Sequence, residues 1–395
     1  QRSPAVTKSG TFYYPMWLCY ASGLLEKSGF NVKVIDAPAR KIDHKEALKI
    51  ASEFSSSFTV VDTSTPSIFN DINIAAKIKK ITGSFIVLVG THPSALPEET
   101  LMINESIDVI TRKEYEYTIL DLATLIANGK TNKDGLKSVD GISFRMGNEI
   151  FHNKDRELTE NLDALPFVSE VYKRHLNYKD YFYAHSRYPI ITLITGRGCP
   201  HHCVYCLYPQ TFNGHKLRYR SIGNVVDEIE YCLKKFPDLK ERMFEDDTFT
   251  VNKKRAIEFM LSHKKQVVKL YFQKLLNHFN YRNKLAIERE ESSLNDFLML
   301  VTYGPLLLLF IFRIFLVKLF RLSSFETLLI ILYVAKAFFM AIFFTRIRFR
   351  LPFDFLLIGV VAMFLHNIFH WWFTRKNTLV RHSHNNVENQ TFYAR

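Results

Sequence analysis

The chain has 395 residues, long enough for more than one domain, and 47% of them are hydrophobic, which excludes a wholly disordered protein. Its five cysteines exclude a disulfide framework, and with no signal-peptide pattern in view they suit a reducing, cytosolic setting. The net charge of +13 would suit nucleic acid, but much of the basic excess (Arg313, Lys318, Arg321, Arg346, Arg348, Arg350, Arg375, Lys376) flanks apolar runs, which reads as membrane-flanking charge.

Residues 14–27 carry apolar side chains at helical spacing until Ser28-Gly29 breaks the pattern. Strands are expected at 32–36, 58–62, 85–89 and 108–110, with helices at 44–54, 70–81 and 118–127 between and after them. Short apolar strands alternating with helices mean an α/β, Rossmann-like domain over 1–135, a parallel sheet with helices on both faces. Ligands of such sheets sit at the carboxyl ends of the strands, which draws 36–40, 62–67, 90–97 and 111–116 around one crevice. His92 follows the strand-end Gly90 and is either a turn residue or a ligand contact. No strand is followed by G-x-G-x-x-G, which argues against a dinucleotide site. The chain starts at Gln1 without a first strand and is read as a fragment.

Residues 136–187 read as a hairpin and a linker, with 172–188 rich in Tyr, His and Arg, lining a ligand or packed. A strand at 190–194 then leads into Cys199, Cys203 and Cys206, spaced C-x₃-C-x₂-C. Three thiolates in one loop can hold three irons of a cubane and leave the fourth open, whereas four cysteines saturate it. Structural zinc is an alternative if His201, His202 or His215 adds a fourth ligand, and a disulfide is another. Cys19 and Cys232 stand alone and read as small buried hydrophobes. A helix at 225–236, a strand at 242–250 carrying Glu245, Asp246 and Asp247, and a helix at 253–263 complete two β-α units over 188–266. The acidic trio either contacts a ligand or caps a turn.

The run Gly196-Arg-Gly-Cys199-Pro-x-x-Cys203-x-x-Cys206 resembles the radical S-adenosylmethionine (radical SAM) superfamily. Arg220-Ser221, 225–229 and 244–249 are similar to the branch with an N-terminal cobalamin-binding domain, as are 14–18, 36–40, 64–67, 90–93, 95–99 and 112–115. Within it the chain looks closest to the group of the anaerobic magnesium-protoporphyrin monomethyl ester cyclase and hopanoid-pathway relatives, over roughly 1–265. The resemblance implies a 4Fe-4S cluster on Cys199, Cys203 and Cys206, whose open iron binds S-adenosylmethionine, cleaved by one electron to methionine and a 5′-deoxyadenosyl radical. It implies S-adenosylmethionine contacts from Tyr205, Glu245, Asp246 and Asp247. It implies cobalamin contacts from Thr63, Ser64, Thr65, Pro66, Gly90, Thr91, His92, Pro93 and Glu114. An electron donor of flavodoxin or ferredoxin type and a small-molecule or lipid-like substrate follow, with methyl transfer or oxidative cyclisation as the reaction. Two departures stand out. There is no Asp-x-His-x-x-Gly to supply a lower cobalt ligand, and the partial (β/α) barrel stops after two units. A tRNA-modifying relative shares the cysteine spacing but needs a basic RNA-binding domain, and the tail here is apolar, so no nucleic-acid partner is expected.

Residues 267–296 begin with a basic, aromatic amphipathic helix with Val268, Phe272, Leu275 and Phe279 on one face, lying on a bilayer or facing a core. The segment 297–395 reads as an α-helical transmembrane tail with spans at 297–320, 328–344 and 355–373, the last ending in an aromatic belt. Arg346, Arg348 and Arg350 mark a cytoplasmic loop, which leaves Arg375, Lys376 and Arg381 outside, against the positive-inside rule. The catalytic part is expected in the cytoplasm, anchored by this tail. The tail vaguely looks like the membrane end of family-2 glycosyltransferases, so the junction near Gln266 reads as a fusion or a join of two fragments. The competing reading is a membrane-anchored remnant that binds cluster and cobalamin without turnover.

Overall fold

The computed structural model describes residues 11–183, 186–262, 264–279, 293–342 and 353–374, divided between two compact units, Gln1–Phe259 and Met260–Arg395. The front unit is built on a five-stranded sheet in the order β1 (Phe58–Asp62), β2 (Phe85–Val89), β3 (Val109–Thr111), β4 (Ile142–Met146), β5 (Glu149–His152). The first three strands are parallel. The hairpin expected within 136–187 forms as β4–β5, and it adds to β3 antiparallel, extending the sheet. β2 is buried along all but its first residue, as its unbroken run Phe-Ile-Val-Leu-Val requires of a strand covered on both faces.

The strand expected at 32–36 does not form. β1 is the edge of the sheet, and these residues make no ladder with it; Val34 is instead buried in the apolar core. Helices occupy Met16–Lys27, His44–Phe54, Ile68–Thr82 and Glu116–Ala127, close to their expected positions. The 90–97 loop is mostly a short helix, Thr91–Ala95.

The helix Met16–Lys27 is apolar on more than one face, and it is buried on more than one side. Met16, Cys19 and Tyr20 join a core with Val168, Tyr172, Tyr181, Ile190 and Leu193, while Ala21 and Leu25 join Val87, Val89 and Val109 of the sheet. The sheet domain and the cysteine-bearing segment therefore share one interior. Tyr14 stacks on Tyr181 at 3.9 Å and lies tilted against Tyr172 at 4.4 Å between centroids, and its hydroxyl donates to the Ile190 carbonyl at 2.8 Å. The described part of the Tyr-rich stretch is thus largely packed.

β6 (Ile190–Leu193) pairs parallel with β9 (Glu241–Phe244), across the helix Ile222–Lys235. Between them β7 (Gly196–Arg197) and β8 (Arg218–Tyr219) form a two-residue antiparallel ladder, the neck of the loop carrying the three cysteines.

The described residues of the second unit are helical. Among the described residues three helices, Phe297–Lys318, Ser324–Ile342 and Phe353–Thr374, are long and apolar enough to cross a membrane. The Arg313 guanidinium is fully buried and pairs with both oxygens of Glu326, each at 3.0 Å, which makes its charge tolerable in an apolar run. Tyr303 and Tyr333 share a buried hydrogen bond of 3.1 Å. Of the expected amphipathic helix, Lys264–His278 is helical, with Val268 and Phe272 exposed and Phe279 packed on the core of its unit. Arg346, Arg348, Arg350, Arg375, Lys376 and Arg381 lie outside the described residues.

Candidate functional site

β1 and β2 end level, Asp62 opposite Val89, so Thr63 and Gly90 leave the sheet side by side. Gly90 has φ +116°, and a Cβ there would stand 2.3 Å from the Thr63 carbonyl oxygen. Only glycine fits. The Thr63 hydroxyl is buried and has no hydrogen-bond partner, an arrangement that leaves one donor for a ligand. Ser64 and Ser67 share a hydroxyl contact of 3.2 Å, and Thr65 bonds His92 Nδ1 at 3.0 Å. Pro66 is exposed, Thr91 half-buried and Pro93 buried. These residues form one lip at the carboxyl ends of β1 and β2. Glu114 does not belong to that lip. Its oxygens accept two 2.8 Å bonds from Arg218 and one of 3.0 Å from the Thr159 amide, so both are occupied within the protein.

The cysteine loop starts at the carboxyl end of β6. Cys199 and Cys206 are half-buried and Cys203 is exposed, and all three are unbridged. Among the described residues no three His, Cys, Asp or Glu side chains converge on one metal ion, the arrangement the zinc alternative needs. A cubane asks for less convergence, because each thiolate meets its own iron. His215 Nδ1 donates to the Cys199 carbonyl at 3.0 Å, and His202 stacks on the His215 ring. Tyr205 is 85% exposed, between Cys203 and Cys206.

The acidic trio follows β9, beside β6, and its three members diverge in role. Asp246 accepts from the amides of Thr195 at 2.6 Å and Gly196 at 3.2 Å and from the Thr195 hydroxyl, which straps the start of the cysteine loop to the neighbouring strand. Asp247 accepts from Asn213 at 2.8 Å. Glu245 accepts from the Tyr183 hydroxyl at 2.9 Å, and burial pushes its carboxyl above the ordinary range, with the Tyr183 bond only partly opposing this. A carboxyl raised in the fold favours folding below its unfolded value, and that benefit is lost as pH rises through the raised value. Glu245→Gln is therefore expected to stabilise the protein at pH 7 and to have no such effect at pH 4. Chemical unfolding at the two pH values checks this; equal effects at both would refute it.

The feature the sequence did not announce is a buried charge network. Arg197, between two glycines, is 1% exposed. It reaches Glu116 at 2.6 Å and Glu114 at 3.3 Å and lies over the Trp17 ring at 4.4 Å. Burial opposes ionisation of Glu114, but Arg197 and Arg218 outweigh it and hold the carboxyl below its usual value. Each charge is visible in the sequence; their convergence across 104 positions is not.

Residues 2–123 match the B12 binding domain family. The chain is 29% identical over 258 residues to an uncharacterized methyltransferase of Pyrococcus horikoshii, covering 65% of this chain and 54% of that protein. It is 24% identical over 248 residues to the anaerobic magnesium-protoporphyrin IX monomethyl ester cyclase of Rubrivivax gelatinosus, covering 62% and 43%. The chain thus spans about half the length of these relatives. Its fold is similar to that of the cobalamin-dependent S-adenosylmethionine radical enzyme OxsB with aqua-cobalamin and S-adenosylmethionine bound, at TM-score 0.51 and 18% identity over 65% of this chain and 35% of that one.

Proposed function

We propose that this chain, with a B12 binding domain ahead of a three-cysteine loop, is a cobalamin-dependent radical SAM enzyme that starts methyl transfer or oxidative cyclisation on a small organic or lipid-like substrate. One observation carries the reading. The loops at the carboxyl ends of the sheet touch the segment that follows the cysteines: Ser94, after β2, donates to the Thr211 carbonyl at 2.7 Å and accepts from the Lys113 amide at 2.9 Å. A ligand on the Thr63–Gly90 lip and one on the cysteine loop are thus held by one compact unit.

The residues present fit both groups. The Gly90 close approach and the unpartnered Thr63 hydroxyl suit a bulky, polar-edged cofactor, with Ser64, Thr65, Pro66, Thr91, His92 and Pro93 beside them. Cys199, Cys203 and Cys206 supply three unbridged thiols, and Tyr205, Glu245 and Asp247 are the residues we assign to S-adenosylmethionine contact. When bound, the cluster and cobalamin supply the electron transfer and the methyl-group or radical chemistry, while the protein positions the reactants. Asp246 orients the start of the loop, and Tyr183 fixes Glu245. An electron donor of flavodoxin or ferredoxin type would serve the exposed Cys203 side. The three apolar helices would anchor a cytoplasmic front unit to a membrane.

Anaerobic reconstitution of the full chain with iron and sulfide should load roughly four irons, and Cys203→Ala should lose most of them. Equal loading of the variant would sink the cluster assignment. Dithionite and S-adenosylmethionine should then release 5′-deoxyadenosine. A loaded protein that releases none favours the second reading, a binding remnant; that reading rests on the two parallel strands, β6 and β9, found beside the cysteine loop among the described residues.

A further inference from the structure

The cysteine loop hangs from a neck of two residues per strand, and such a ladder is too short to be stable by itself. Its register makes matters worse. Arg197 and Arg218 stand directly opposite each other, and like charges so placed repel. Both side chains are buried, where water screens nothing. The neck closes nevertheless, because one carboxylate from outside it stands against both guanidinia. Glu114 binds Arg218 through both oxygens at 2.8 Å and Arg197 at 3.3 Å. Glu114 comes from the turn between β3 and the helix Glu116–Ala127, in the domain ahead of the loop. Glu116 pairs with Arg197 at 2.6 Å, whereas Glu114 is the carboxylate that meets a guanidinium on each strand.

We propose that Glu114 is a positioning residue that shuts the neck of the cysteine loop, so that the front domain sets whether the three thiols are held in place. This rests on the cluster reading for its consequence, but not for its geometry. Glu114→Gln keeps the shape and removes the charge. In the full chain without iron, amide exchange at Cys199 and Arg220, bonded to Gly214 and Thr195 across the neck region, should quicken about tenfold, while Val87 and Val89 of β2 keep their protection. Iron uptake should fall to less than about half of the wild-type level, since a fraying neck spreads the ligands. Glu114→Gln combined with Arg218→Gln removes the opposed charge and should restore both exchange and iron uptake, which a general loss of stability would not. Unchanged exchange in Glu114→Gln overturns the proposal. So does equal quickening at β2, or a double variant as frayed as the single one. If the wild-type chain takes up no iron, the cluster reading fails and the exchange measurement still judges the neck.

Discussion

Arg197→Met is expected to destabilise the front unit by about 3–5 kcal/mol, the range for removing one partner of a buried ion pair. The cause is not the lost attraction alone. Glu116, 1% exposed, would be left buried without its cation, and the Trp17 ring would lose the guanidinium that lies over it at 4.4 Å. For a unit of this size each kcal/mol moves the midpoint by about 2–4 °C, so calorimetry on the full chain should show a drop of roughly 10 °C. Replacing Glu116 by Gln in the same chain should recover much of it, because a neutral amide costs far less to bury than an orphaned carboxylate. A drop below about 2 °C for the single variant would mean that the network is not the brace its geometry suggests.

Gly198→Ala should cost about 1–3 kcal/mol and empty the cysteine loop of iron. Gly198 has φ +94°, a region that alanine enters only with strain, and a Cβ there would stand 2.1 Å from the Lys216 carbonyl oxygen. The backbone must move, and the residue that moves with it is Cys199. Its amide bond to Gly214 at 3.2 Å would be lost at the same time. Iron and sulfide per chain after reconstitution should fall far more than cobalamin binding, measured by its visible absorbance, because the Thr63–Gly90 lip lies on other strands. A variant that loads a full cluster would show that the loop tolerates a wider neck.

These two positions explain why a Gly-Arg-Gly run precedes the cysteines. Gly196 packs against the Tyr219 ring, where a Cβ would sit at 2.6 Å; Gly198 makes the turn; Arg197 alone carries a side chain, and that side chain ties the loop to the sheet domain. The run is a structural anchor for the three cysteines that follow it.

Much of this was legible in advance, for local reasons. Residues 58–62 (Phe-Thr-Val-Val-Asp) and 85–89 (Phe-Ile-Val-Leu-Val) form strands where β-branched and apolar residues lie between turn formers, and Asp43 caps the helix His44–Phe54 through the Glu46 amide at 2.8 Å, a purely sequential interaction. The exceptions are long-range. Residues 32–36 have strand composition but no neighbour to pair with, and a strand exists only by its ladder. The hairpin at 142–152 reads the same whether it stands alone or joins β3. Glu114 sits in a loop at a strand end, where ligand contacts gather; only the approach of Arg197 and Arg218 reveals that its oxygens are occupied.

The sequence by itself determined the chemistry the chain can attempt. Three thiols spaced within eight residues, and a glycine at the end of β2, are local facts that no packing alters. The tertiary structure decided which charged groups are free to meet a ligand and which are spent on holding the loop. The physical reason is desolvation: a charge in the interior must find its partner wherever the fold brings one, and the partner's position in the chain is irrelevant to the energy.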